Sequence, residues 1–286
     1  MSLTSLSVKE YLERVADGTP TPGGGGVCAL VGGLGAALCL MTAHLTLGRQ
    51  KYRSVWPEMQ ELSHSVTKLA SRLLELTEQD SAAYDKLLST FKLAQESEAQ
   101  KKLRKESVQA ATKEAAIVPL QTLRTMMELI EFVEPAIEKG NTNCLCDAAV
   151  AVQLIRAAAV GAEYNIRANL SSITDPDFLS RTRTEMIRLR NNIMQAVSRL
   201  EARALSLAGL AMTNIEESVE DYLEACAEFG KEPEKPLTGQ FVVRVRPEVH
   251  RSAVLAAKIE NKSLNAWVAE KLEQAACGQH CYEKKA

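Results

Sequence analysis

Through the first 230 positions, apolar and polar residues follow a helical rather than an alternating pattern, and no convincing strand interrupts them. Residues 7–16 form a short amphipathic stretch that stops at Gly18, and a Pro/Gly loop then leads into an apolar helix expected over about 24–47. Pro57 fits the first turn of a long helix to about Ala94. After the polar break "QESEAQ" another helix is expected over about 100–138, with Pro119 as a kink and Pro135 as its end. "KGNTN" stops the chain before a helix from Cys144 to about Leu170, and "TDPDF" starts a last long one to about Phe229, with a break at Gly209. The pattern changes after "KEPEKPLTG". "QFVVRVRPEVH" has strand-like alternation, with Phe241, Val243 and Val245 on one face and Gln240, Val242, Arg244 and Arg246 on the other. The expected organisation is an all-α, long antiparallel helical bundle over 1–230, a linker at 231–238, a small module at 239–276 and a flexible tail at 277–286.

Composition adds limits. At 286 residues the chain can bury a large core, and only 5% aromatic content, with alanine and leucine dominant, favours close-packed helices. A net charge of -2 excludes a chain-wide basic coat, so any nucleic-acid contact must be local. The seven cysteines are scattered, and "MSLTSLSVKEYLERVADG" lacks the basic-then-apolar order of a secretion signal, so free thiols in a reducing cytoplasm are expected. No charged residue lies between Asp17 and Arg49, which imitates a membrane span; the glycines, His44 and threonines there point instead to a buried helix, not a membrane protein.

The loop "TPTPGGGGVCALVGGLGAAL" carries the densest chemistry. No strand precedes it, no acid follows at the distance a dinucleotide fingerprint needs, and no Gly-Lys-Ser/Thr follows for a phosphate loop. A glycine-rich helix mouth leaves backbone N–H groups pointing outward with the positive end of the helix dipole behind them, which suits a carboxylate, a phosphate or a developing negative charge. Gly23, Gly24, Gly25 and Gly26 are therefore candidate ligand-binding positions, while Gly32, Gly33 and Gly35 read as close helix crossings.

The same stretch resembles the "PxPGGGSxAAxxxAxGAAL" motif of the formiminotransferase-cyclodeaminase C-terminal family, which includes free-standing methenyltetrahydrofolate cyclohydrolases. "LTLGRQKY" (45–52), "TEQDSAAYDKL" (77–87), "GNTNCLCDAAVA" (140–151) and "GAEYNIRANLSSITD" (161–175) follow in family order, so the resemblance spans about 5–225. Gly26 and Cys146 stand where serine is common in that family. The resemblance implies a helical protein, dimeric or built of dimers, acting on one-carbon units of tetrahydrofolate, which is sometimes polyglutamylated, with no cofactor beyond that substrate. It implies one of two reactions: closure of 5-formiminotetrahydrofolate to the 5,10-methenyl form with loss of ammonia, or hydration of the methenyl bridge to 10-formyltetrahydrofolate. The absence of a transferase domain tilts the expectation to the second. The motif match places the catalytic aspartate on Asp80, where burial within a long helix would raise its pKa toward useful acid/base values. It also places Arg49, Lys51 and Asn143 among the substrate-binding residues. The arginine and lysine otherwise read as side chains snorkelling at a helix end.

Within the expected 144–170 helix, Asp147 and Asn165 are 18 residues apart and share one face, with Gly161 and Asn169 close to it and Arg156 and Arg167 turned away. Their separation of about 27 Å means that they line a long pocket, serve different ends of a dimer interface, or make helix-to-helix hydrogen bonds. Cys144 and Cys146, and the group Cys277, His280 and Cys281, fit no common zinc spacing, so no metal is expected. His44 is a weak catalytic candidate because it is read as facing the region of the glycine loop; His64 reads as a packing residue.

Residues 239–276 resemble a ribbon-helix-helix module of the kind found in HicB-type antitoxins and Arc-like repressors, with a helix from Pro247 to Glu260 and Ser263 as the N-cap of a second. A module this small implies pairing across a homodimer. The resemblance places Gln240, Val242 and Arg244 toward a DNA major groove. Six basic against four acidic residues over 238–276 make a modest surplus, so dimerisation without DNA stands beside DNA binding.

Overall fold

A computed structural model describes residues 2–211, 223, 226, 247–260 and 262–277. The chain divides into two compact units, Met1–Tyr222 and Leu223–Ala286. Among the described residues of the first unit there are six α-helices: α1 (Val8–Ala16), α2 (Gly24–Thr46), α3 (Trp56–Thr90), α4 (Glu98–Lys139), α5 (Leu145–Leu170) and α6 (Pro176–Ala211).

Local chemistry sets most of their ends. Reciprocal capping boxes, Ser7 with Glu10 and Ser97 with Gln100, start α1 and α4. Pro57 lies in the first turn of α3, and Asp175 accepts the amides of Asp177 and Phe178 at the start of α6. Asn141, almost fully buried, seals the far end of α2: its amide donates to Thr46 Oγ1 at 2.8 Å and its Nδ2 to the Leu45 carbonyl at 3.1 Å.

Helix α2 lies against α3 and α5, α4 against α3 and α5, and α6 against α4 and α5. Leu73, Leu76, Leu123, Met126, Ile155, Ile166 and Met186 fill the space between them. Close approach depends on small residues: a Cβ at Gly32 would lie 2.5 Å from Met126 Cε, and one at Gly35 3.3 Å from the Ala151 carbonyl. The segments Gly24–Thr46 and Thr142–Leu170 are long and apolar enough to cross a membrane by length and composition, with mean hydropathies of 2.0 and 1.6; here they are packed in the bundle.

Two sequence expectations change. Helix α4 continues through Pro135 to Lys139, because flanking helices hold the segment that the proline would otherwise free. Helix α6 runs uninterrupted through Gly209, an exposed position where glycine does not break the turn.

In the second unit, Pro247–Ile259 (α7) and Leu264–Cys277 (α8) pack on each other, and Ser263 Oγ accepts the Ala266 amide at 3.2 Å as the N-cap of α8. The expected strand with Gln240, Val242 and Arg244, the 231–238 linker, His280 and Cys281 lie outside the described residues.

Candidate active site

Helix α2 begins without a side-chain cap of its own, since Gly23 occupies its N-cap. The third amide of the helix, which an N-cap side chain normally takes, is claimed from another helix: Gly26 N–H donates to Asp80 Oδ2 of α3 at 2.8 Å. The glycines are what let that carboxylate in. A Cβ at Gly25 would sit 2.1 Å from Asp80 Oδ1, and one at Gly26 3.1 Å from the Thr77 carbonyl. The anion at this helix mouth is thus the protein's own Asp80, so the Gly26 amide is not bare for a ligand as the sequence alone suggested.

Burial of Asp80 raises its carboxyl above the usual carboxylate range, and the Gly26 hydrogen bond offsets this only in part. Cys28, one turn further along α2, has its thiol pushed up to about 11 by burial and then by the Asp80 charge. Its Sγ faces Gly161 of α5, where a Cβ would come within 2.2 Å.

Asn165 stands on the other flank. Its amide lies 3.5 Å from the position of a Gly24 Cβ, and Nδ2 donates to the Gly161 carbonyl at 2.9 Å. Gly24, Gly25, Gly26, Asp80, Cys28, Gly161 and Asn165 are therefore one neighbourhood, with Gly23 at its edge against the Pro20 carbonyl.

The N-terminal segment is tied to α3 close in sequence to Asp80. Glu78, two residues before Asp80, accepts from Ser2 Oγ, from the Thr4 amide at 2.8 Å and from Thr4 Oγ1. Burial pushes the Glu78 carboxyl up, but these hydrogen bonds outweigh it and hold the group below its ordinary range. Tyr11 is the buried residue of α1, at 8% exposure. Its phenol is raised first by burial and then by the charges of Asp80 and Glu78. Sequence reasoning missed Tyr11, Cys28 and Glu78.

Other candidates lie elsewhere in the unit. Arg49 and Lys51 follow the far end of α2, about 33 Å from the glycine mouth along the helix, and Asn143 and the half-buried Asp147 are at that same end. Tyr52 joins the two loops, its hydroxyl accepting the Thr142 amide at 3.1 Å. Within one chain these four residues do not meet Asp80. Asn169 is committed to packing, with Nδ2 donating to the Ala115 carbonyl at 3.1 Å and to the Asn165 carbonyl at 3.0 Å. His44 is also displaced from its expected place: it pairs with Ser63 at 2.8 Å near the far end of α2. No cluster of three or more metal-ligating side chains occurs among the described residues.

This arrangement has relatives. The formiminotransferase-cyclodeaminase family pattern matches residues 7–188, and the HicB family pattern matches 222–272. The methenyltetrahydrofolate cyclohydrolase of Methylorubrum extorquens is 33% identical over 172 residues, 60% of this chain and 83% of that protein. The formimidoyltransferase-cyclodeaminase of Rattus norvegicus is 30% identical over 182 residues; the match spans 64% of this chain but about a third (34%) of the rat protein. The crystal structure of formiminotetrahydrofolate cyclodeaminase from Thermotoga maritima superimposes with a TM-score of 0.65 at 30% identity, over 72% of this chain and 99% of that one. The chain belongs to the formiminotransferase-cyclodeaminase family and carries a HicB family segment after the helical bundle.

Proposed function

We propose that the helical unit is a tetrahydrofolate one-carbon enzyme, a methenyltetrahydrofolate cyclohydrolase or a formiminotetrahydrofolate cyclodeaminase, with Asp80 as general acid and base. The observation that carries this reading is the Asp80 carboxylate seated on the Gly26 amide at a mouth cleared by glycines. Both reactions need one group that takes a proton and returns it at the one-carbon centre. In hydration, the base removes a proton from the water attacking the methenyl carbon and returns it to N5 as the C–N5 bond breaks, while the remaining hydroxyl proton of the adduct is released to solvent as the formyl C=O forms. In cyclisation, the proton leaves N10 as it attacks the formimino carbon and goes to the departing ammonia. A carboxyl raised by burial is closer to the operating pH and serves both directions better than an exposed one. Asn165 beside Gly24 supplies a polar wall for the ligand.

The similarity to the cyclohydrolase, 83% of which is covered by the match, supports hydration as the first reaction to test. Purified protein given 5,10-methenyltetrahydrofolate should bleach the methenyl chromophore. Appearance of that chromophore from the 5-formimino compound, with release of ammonia, assigns the cyclodeaminase instead.

Assembly of two or more copies belongs to the same proposal. Leu34 and Leu45, three turns apart on α2, and Val150 and Tyr164 on α5 are exposed large apolar side chains, and α2 contains no Asp, Glu, Lys or Arg. Such assembly is also a route by which the distant Arg49, Lys51, Asn143 and Asp147 serve a site they do not reach within one chain. For the HicB segment, duplex DNA binding through Gln240, Val242 and Arg244 stands as a second role beside dimerisation without DNA. Duplex binding lost in Arg244→Ala supports that role, and no binding leaves the segment as a clamp between copies.

A further inference from the structure

The Tyr11 hydroxyl is buried and has no hydrogen-bond partner among the described residues. A buried donor without an acceptor costs about 1–3 kcal/mol, and phenylalanine would fill the same space without that cost. The hydroxyl also lies at a particular place. Ahead of Tyr11 the chain is tied to Glu78, two residues from Asp80, by Ser2 and Thr4. Behind it the chain turns at Gly18, φ +73, and enters the glycine mouth against which Asp80 sits. Helix α1 is strapped between these two anchors, and Tyr11 is the side chain that it turns inward while Val8 and Leu12 remain in solvent.

We propose that Tyr11 is a substrate-contacting residue, its neutral hydroxyl donating a hydrogen bond to an acceptor atom of the bound folate beside Asp80. The assignment rests on the folate reading above. The phenol, raised above its ordinary value first by burial and then by the charges of Asp80 and Glu78, is suited to act as a donor and to leave proton transfer to Asp80. Two polar groups then divide the work, one fixed and neutral, the other exchanging a proton.

The test compares the wild-type chain, Tyr11→Phe, Asp80→Asn and the double variant by thermal unfolding and by equilibrium binding of 5-formyltetrahydrofolate, a folate that carries a one-carbon unit without undergoing either reaction. The expected result for Tyr11→Phe is a higher Tm in the absence of ligand, because an unsatisfied buried hydroxyl is gone, together with binding about 3- to 10-fold weaker. The same factor should appear in the Asp80→Asn background. A lower Tm would show that the hydroxyl serves a structural bond, and unchanged binding would show that it does not meet the ligand; either overturns the assignment. An effect that vanishes in the Asp80→Asn background also overturns it, since Tyr11 would then act only through Asp80. Wild-type protein that neither binds nor converts any of the folates refutes the folate reading itself, and Tyr11 with it. The wild-type control therefore separates the two failures.

Discussion

At the scale of single residues, the site is a trade between backbone and side chain. Helix α2 gives up its own N-cap, and α3 supplies the missing acceptor through Asp80. Gly25 is the position on which this depends, because a methyl group there would overlap the carboxylate. Gly25→Ala should therefore push Asp80 off the Gly26 amide, lowering the Tm by an amount that corresponds to about 1–3 kcal/mol, and lose turnover by about 100-fold, as misplacement of a catalytic group by about 1 Å does. Asp80 has the opposite signature in stability. Its carboxyl is raised in the folded chain by burial, so ionisation is harder in the folded than in the unfolded state. That cost is present above the folded-state pKa and disappears below the ordinary carboxylate range, where both states hold the proton. Asp80→Asn, whose Oδ1 can still accept from Gly26, should melt above wild type at neutral and alkaline pH, and the gap in Tm should close as the pH falls toward and below that range.

At the scale of elements, one pairing explains how α4 carries a proline in its interior. Pro119 has no N–H to donate to the Ala115 carbonyl four residues back, and Asn169 Nδ2 from α5 takes that carbonyl at 3.1 Å. Asn169→Ala should cost about 1–3 kcal/mol by orphaning a buried acceptor. In a Pro119→Ala background, where the helix restores its own bond, the cost should shrink, and a double-mutant cycle by urea unfolding measures the difference. This also marks where the sequence was legible. The helices were visible in apolar periodicity, and two of their starts in Pro57 and the "TDPDF" turn, because these are local signals. The pairing of Pro119 with Asn169, and of Asp80 with Gly26, joins residues about 50 positions apart, and no local pattern carries such a pair. Asp80 and the glycine mouth were each visible in family motifs, but that the first fills the second was not. Tyr11 was silent because burial of one residue on an otherwise exposed short helix leaves no periodic trace.

At the scale of the whole molecule, the chain joins a folate-family bundle to a HicB family segment, and each compact unit has helices of its own. In the assembly proposed above, the exposed apolar side chains of α2 and α5 are the surface that meets another copy. Leu34, 53% exposed at the middle of α2, is the position to probe. Leu34→Glu should lower the mass measured by light scattering toward that of a single chain, while the helical content of the isolated chain persists. Arg49, Lys51, Asn143 and Asp147 are grouped at the opposite end from Asp80 within one chain, a separation that the order of family motifs along the sequence does not carry.

The most direct measurement is the rate at which wild type and Asp80→Asn convert 5,10-methenyl- and 5-formiminotetrahydrofolate, followed at the methenyl chromophore. The account predicts turnover of one of the two by wild type and a fall in kcat of about 100-fold or more in the variant, the usual contribution of a positioned acid or base. Wild-type rates retained by a folded Asp80→Asn protein would contradict it.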